Sequence, residues 1–258
     1  MKTSKKIRDG GISKMSMAAV EVKDLVKVFD RIKAVDGLSF CVEEGEIYGL
    51  VGPNGAGKTT TLRIIATLLS PTSGEVKIFG IDASKKPEKI RELISYLPEE
   101  ADAYKNLTGV EYLRFMAKLC SRNPAETEEM VERGISISGL GERLNDKIKT
   151  YSKGMKRRLL IARALMTLPK LAILDEPTSG LDVIYSFQVR DTIKSFVREY
   201  GITVLLSSHN MLEVEYLCNR IGLLSRGRIV AEGPPDELKA SYNASNLEEV
   251  FMRVSNND

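Results

Sequence analysis

Gly52-Pro53-Asn54-Gly55-Ala56-Gly57-Lys58-Thr59 is the stretch on which the reading of this chain turns. It has the form G-x-x-x-x-G-K-[ST], follows the run Ile47-Tyr48-Gly49-Leu50-Val51, and opens the run KTTTLRIIATLL. A strand, a glycine-rich turn and a helix, in that order, is the context that phosphate binding requires. The glycines let backbone N–H groups turn inward around a phosphate, and the helix start adds the positive end of its dipole. Lys58 is placed to neutralise β- and γ-phosphate oxygens, Thr59 to offer its hydroxyl to Mg2+, and Thr60 follows in the first helical turn.

Upstream, AVEVKDLVKVF (19–29) and LSFCV (38–42) read as strands, and the strands on either side of Glu43-Glu44-Gly45-Glu46 read as a hairpin. Downstream, KTTTLRIIATLL places Leu62, Ile65, Leu68 and Leu69 on one helical side. A strand at EVKIFG (75–80), a helix near Pro87 to Leu93 and a strand at Ile94 to Leu97 follow. This alternation predicts a parallel βαβ sheet, and the early hairpin an antiparallel annex. From Thr108 to about Leu168 the strand signal is absent: Thr108 and Glu111 form a capping box before GVEYLRFMAKLC, and Asn123-Pro124 opens a second helix. Strands return at LAILDEP (171–177) and ITVLLSS (202–208), separated by a helix over Val189 to Tyr200. A hairpin (220–233) and two short helices close the chain, the last aligning Leu247, Val250, Phe251 and Val254. The expected organisation is a basic tail over 1–18, a nucleotide-binding core with its annex over 19–98 and 166–233, an inserted helical unit over 99–165, and C-terminal helices over 234–258.

Two further motifs carry chemistry. Leu171-Ala172-Ile173-Leu174-Asp175-Glu176 is an apolar strand ending in two acids, which a parallel sheet brings to its C-terminal edge beside the glycine-rich loop. Alone, such acids are an ordinary solvated strand exit. With the loop upstream, Asp175 is placed to hold Mg2+ and Glu176 to orient and deprotonate an attacking water. Tyr151-Ser152-Lys153-Gly154-Met155 precedes a helix: Ser152 is a good N-cap, and Gly154 keeps the first turn free of bulk, so that its N–H groups can face an anion. Lys156, Arg157 and Arg158 read as a solvated face.

Composition narrows the partners. The 258 residues carry 38 Lys+Arg against 35 Asp+Glu, net +3, and the first fourteen residues contribute +4 of it (Lys2, Lys5, Lys6, Arg8 and Lys14 against Asp9). The remainder is therefore slightly acidic, which disfavours a basic nucleic-acid platform. The basic start reads as a disordered tail, or as an over-long gene start with Met15 or Met17 as the first residue. Cys41, Cys120 and Cys218 fit neither a disulfide framework nor a zinc spacing, and the single histidine, His209, excludes multi-histidine metal sites. No apolar run approaches the ~20 residues of a membrane-spanning helix.

The three motifs, in this order and with these intervals, resemble the ATP-binding cassette (ABC) ATPases from about Val20 to Gly233. SKGM followed by Asp175-Glu176-Pro177-Thr178-Ser179-Gly180-Leu181-Asp182 is highly specific to that family. The resemblance implies an α/β P-loop NTPase with a RecA-like parallel core, ATP and Mg2+ as ligands, and ATP hydrolysis coupled to transport. Within it, Gly52 to Thr59 is Walker A and LAILDE is Walker B. Ser152, Lys153, Gly154 and Met155 take the signature position; Ser179, Gly180, Leu181 and Asp182 the D-loop; His209 the switch histidine. Phe29 takes the adenine-stacking position, and Glu99 the Q-loop position, near the metal with Thr59 and Asp175. It further implies that two copies pair head to tail, each ATP lying between one P-loop and the other subunit's signature helix, so that Ser152 meets the γ-phosphate across the interface.

Glu99 departs from the family's usual glutamine, Lys153 from glycine, Met155 from glutamine and Phe29 from tyrosine, while Glu176 keeps the hydrolysing pattern. By resemblance the partners are a separately encoded transmembrane permease and a second cassette, identical or paralogous, with no nucleic acid. The place is the cytoplasm, peripheral on the inner face of the cell membrane. Tyr104, Leu107 and Tyr112 are candidates for the permease groove. YLPEE, YSKGM and NLEEVF resemble exporter-type (ABC-2) cassettes acting on drugs, antibiotics, lipids or polysaccharides. The competing expectation is a soluble ABC ATPase of translation or DNA repair, which usually carries two cassettes or a long coiled coil; neither appears in this sequence.

Overall fold

A computed structural model describes residues 18–255, so the expected basic tail lies outside the described residues except for Ala18. Six strands make the main sheet: β3 (Ile47–Val51), β6 (Ile94–Leu97), β7 (Leu171–Asp175), β8 (Thr203–Ser208), β9 (Arg220–Ser225) and β10 (Arg228–Gly233). Their order is β10-β9-β3-β8-β7-β6, parallel throughout except where β10 turns back on β9. A second, antiparallel sheet has the order β2-β1-β4-β5, from β1 (Ala18–Phe29), β2 (Ile32–Glu43), β4 (Ser73–Ile78) and β5 (Ile81–Asp82).

The central strands β3, β7 and β8 are buried along their whole length because both faces are covered. Leu171, Ile173 and Leu205 pack toward the antiparallel sheet and α1 (Lys58–Ile65), whereas Ala172, Leu174, Val204 and Leu206 pack toward the helices. On that helical side lie α3 (Gly109–Cys120), α4 (Pro124–Ser138), α5 (Lys153–Leu165), α6 (Val183–Tyr200), α7 (Met211–Leu217) and α9 (Leu247–Ser255). The short α2 (Pro87–Arg91) precedes β6, and α8 (Pro235–Ser241) follows β10. Thr108 caps α3 with the expected box, its Oγ1 accepting from the Glu111 amide at 3.1 Å while the Glu111 carboxylate accepts from the Thr108 amide at 2.7 Å. Among the described residues no helix is long and apolar enough to cross a membrane.

Three expectations are corrected. The strands flanking Gly45 are not a hairpin: β2 pairs with β1, whereas β3 pairs with β8 and β9. The Glu43–Glu46 turn instead carries the chain from one sheet to the other. Glu46 is buried there, accepting from the Glu43 amide at 2.9 Å and from Arg220 at 3.3 Å; burial pushes its carboxyl pKa up against those partners. The true hairpin turns at Asp30, whose φ is +49°. The helix after the glycine-rich loop stops at Ile65, because Thr67 adopts φ +60°, so Leu68 is exposed rather than aligned with Leu62 and Ile65. The helix expected from Val189 begins earlier, at Val183, with Asp182 as N-cap accepting from the Tyr185 amide at 2.9 Å. Of the thiols, Cys41 on β2 and Cys120 at the end of α3 are exposed, and Cys218 is buried against Gly49.

Ile173 is fully buried in the middle of the sheet. Ile173→Ala should lower unfolding free energy by about 2–5 kcal/mol in urea denaturation, the cost of a large-to-small core change.

Candidate active site

The register of the parallel strands fixes the site. Val51 pairs with Ser208, Asp175 with Ser207, and Leu97 with Leu174, so the C-terminal ends of β3, β8, β7 and β6 lie side by side. Each then delivers one functional segment: the glycine-rich loop, His209, Asp175-Glu176, and Pro98-Glu99.

In the loop, Gly57 stands at the N-cap of α1 with φ +104°, and a Cβ there would come within 2.4 Å of the Ala34 carbonyl oxygen, so only glycine fits. No side chain caps the helix, and the amides of Lys58, Thr59 and Thr60 find no acceptor among the described residues. This leaves an uncompensated row of donors at a helix N-terminus, which suits an anion. Lys58 is only 6% exposed, and its ammonium donates to the carbonyls of Gly52 (2.7 Å) and Pro53 (3.2 Å).

Two carboxylates face this loop. Asp175 Oδ1 accepts from Thr59 Oγ1 at 3.1 Å and from Ser207 Oγ at 2.5 Å, and Oδ2 from the Tyr96 hydroxyl at 3.4 Å. Burial, then the neighbouring Asp175, hold the Tyr96 pKa up, so its hydroxyl is a neutral donor. Glu176 is buried, with φ +48°. Its carboxylate lies 3.5 Å from the Lys58 ammonium on one oxygen and 2.8 Å from His209 Nδ1 on the other. Because an ionised carboxylate only accepts, Nδ1 carries the hydrogen of that contact.

The hydroxyl–carboxylate pair of Thr59 and Asp175 fits Mg2+, a hard cation that takes one or two protein oxygens and completes its shell with water and substrate phosphate. Glu99 is not part of that pair: its carboxylate accepts from Ser179 Oγ at 3.2 Å. The signature segment makes no hydrogen bond to the loop within this chain. Ser152 caps α5, accepting from the Met155 amide at 3.2 Å, and the Lys153 ammonium lies against Gly180. A Cβ on Gly154 would meet the Tyr185 ring at 2.9 Å, so this glycine also lets α5 pack on α6. Phe29, at the tip of the β1–β2 hairpin, is exposed, with the Lys27 ammonium 5.0 Å from its ring centroid.

Three participants were not anticipated from sequence. Ser207 bridges the acids, donating to Asp175 and accepting from the Glu176 amide at 3.0 Å. Arg157, expected on a solvated face, is 6% exposed and reaches the carbonyls of Asp175 (2.7 Å) and Glu176 (2.9 Å); burial lowers its pKa, opposed by Asp175, Glu99, Glu213 and Glu176. Glu213, buried on α7, accepts from Ser208 Oγ at 2.8 Å, and burial raises its carboxyl pKa.

An uncapped, glycine-lined helix start facing paired acids across a parallel sheet is the site of a P-loop NTPase. Residues 35–179 match the ABC transporter family, and the chain belongs to it. It is 42% identical over 229 residues to the daunorubicin/doxorubicin resistance ATP-binding protein DrrA of Streptomyces peucetius, covering 89% of this chain and 69% of that one. It is 40% identical over 220 residues to the bacitracin transport ATP-binding protein BcrA of Bacillus licheniformis, covering 85% and 71%. Among solved structures, a dimeric post-hydrolysis state of the ATP-binding cassette MJ0796 bound to ADP and Pi superposes with a TM-score of 0.76 at 28% identity, over 83% of this chain and 98% of that one. The chain is an ATP-binding, ATP-hydrolysing subunit of the ABC transporter class, and the MJ0796 cassette it resembles is a dimer.

Ser207→Ala should remove the shortest hydrogen bond to the buried Asp175. The expected loss is about 1–3 kcal/mol in unfolding free energy, checked by denaturant titration of the nucleotide-free protein.

Proposed function

We propose that this subunit powers export of a drug- or antibiotic-like molecule, or a lipid, through a separately encoded permease on the inner face of the cell membrane, as a homodimer or with a paralogous cassette. Support for the cargo class comes from the relatives named for drug resistance and bacitracin transport. The hydrolytic assignment rests on one observation: Glu176 is held between the Lys58 ammonium and His209 Nδ1.

In this reading the amides of Gly55 to Thr60 and the Lys58 ammonium bind the β- and γ-phosphates of ATP, and Phe29 stacks on adenine. Thr59 and Asp175 would hold Mg2+, which when bound would supply positive charge to the phosphate oxygens. Glu176 accepts the proton of the attacking water as its oxygen bonds to the γ-phosphorus and the bond to ADP breaks. His209 keeps the carboxylate aimed and, as the switch histidine, senses the γ-phosphate. Ser152, Lys153, Gly154 and Met155, with Ser179 to Asp182, face the nucleotide bound by the second cassette. Glu99 stays apart from the metal pair while it holds Ser179.

For the permease groove we narrow the aromatic candidates. Tyr112 is 3% exposed and belongs to the core, and Leu107 is half-buried, whereas Tyr104 is 57% exposed and packs edge-on against the exposed Phe115 at 5.6 Å. Tyr104 and Phe115, with the exposed Leu119, are the residues offered to a membrane subunit.

Glu176→Gln should lower steady-state hydrolysis by about 10²-fold or more while leaving ATP binding intact, the usual weight of a general base. In size exclusion with ATP it should elute as a dimer; wild-type rates would remove Glu176 as the base. His209→Ala should slow turnover with ATP affinity unchanged, measured by hydrolysis and equilibrium nucleotide binding. Unaltered turnover would take His209 out of the mechanism.

A further inference from the structure

All five N–H groups of the Arg157 guanidinium end on backbone carbonyls. Nε donates to Pro177 (2.9 Å), Nη1 to Pro98 and Glu99 (3.1 Å each), and Nη2 to Asp175 (2.7 Å) and Glu176 (2.9 Å). None of these acceptors is a carboxylate, although a buried cation ordinarily requires a close counter-charge or a full set of hydrogen bonds. A planar fork bonded at every donor fixes orientation as well as charge, which a lysine cannot do. The acceptors belong to two loops only: the exit of β6, which carries Glu99, and the exit of β7, which carries Glu176.

Glu176 needs such a clamp. At φ +48° it occupies a conformation that a non-glycine residue keeps only where its surroundings hold it. Its amide is held by Ser207 and its carbonyl by Arg157, so the peptide groups on both sides of its Cα are fixed. That fixes where the Cα–Cβ bond points, and with it the carboxylate between Lys58 and His209.

We propose that Arg157 is a positioning residue for hydrolysis: it aims the Glu176 carboxylate and, by holding Pro98 and Glu99 on the same group, ties that aim to the Glu99 segment. The inference rests on Glu176 being the base, as read above, and Arg157 acts through it.

Hydrolysis, equilibrium ATP binding and amide hydrogen exchange of the nucleotide-free chain are compared for wild type, Arg157→Lys and Arg157→Gln. kcat should fall about 10²-fold, the usual cost of a misplaced catalytic group. KM and ATP affinity should stay within about twofold, as for an interaction lost only from the transition state. Exchange should accelerate at Glu176 and Ser179, whose amides bond Ser207 and the Glu176 carbonyl, while 171–174 keeps its protection. In the Glu176→Gln background, Arg157→Lys should cost nothing further in single-turnover rate. Wild-type kcat in both Arg157 variants, an additive loss in the double variant, or exchange accelerated across the whole sheet would each overturn the proposal. The Lys variant keeps the charge and stem and carries the same readouts if the Gln variant does not fold. Wild-type turnover in Glu176→Gln alone would overturn the base assignment instead, a separable result because Arg157 is intact there.

Discussion

A lysine ammonium removed from water must find compensation, and Lys58 finds it in the carbonyls of Gly52 and Pro53 and the nearby Glu176 carboxylate. Much of the molecule follows from that requirement. The loop has to turn its first carbonyls toward the lysine while leaving the amides of the helix start facing outward, which only the left-handed Gly57 allows. Glu176 follows directly on β7, yet β7 does not neighbour β3; β8 runs between them. Glu176 therefore reaches across the end of β8, and the residues there become its supports, Ser207 holding its amide and His209 its carboxylate. Strand order and site chemistry are one constraint seen twice.

The same arrangement divides labour between the two layers that cover the sheet. The antiparallel annex contributes Ala34, whose carbonyl closes on Gly57, so the loop is braced from outside the parallel core. The helical side contributes Arg157 from α5, bonded to the exits of β6 and β7. In both cases the contact is to backbone: Gly57 on one side, and the carbonyls of Pro98 and Asp175 on the other.

The main lines were legible in the sequence because they rest on short-range rules. A strand, a glycine-rich turn and a helix, then an apolar strand ending in two acids, leave little freedom as to where those residues meet. What could not be read was partner choice at longer range. The strands beside Gly45 look like a hairpin locally, and only β1, β8 and β9 decide that they separate. Ser207 is one small polar residue at a strand end, indistinguishable from filler until Asp175 is placed beside it. Arg157 did leave a signal: with Leu160, Ile161 and Ala164 it forms an i, i+3, i+4, i+7 set whose other members are all buried. Its charge, within a basic triplet, concealed it.

The distribution of thiols has a practical side. Cys41 stands exposed on the annex and Cys120 exposed at the end of α3, in the helical insertion, while Cys218 is shut in against Gly49. The protein thus comes with one attachment point for a spectroscopic probe on each of its two outer layers, and a third thiol sheltered from reagent. Any swing of the insertion relative to the annex during the ATP cycle becomes a change in distance between two labels, readable without altering a single residue.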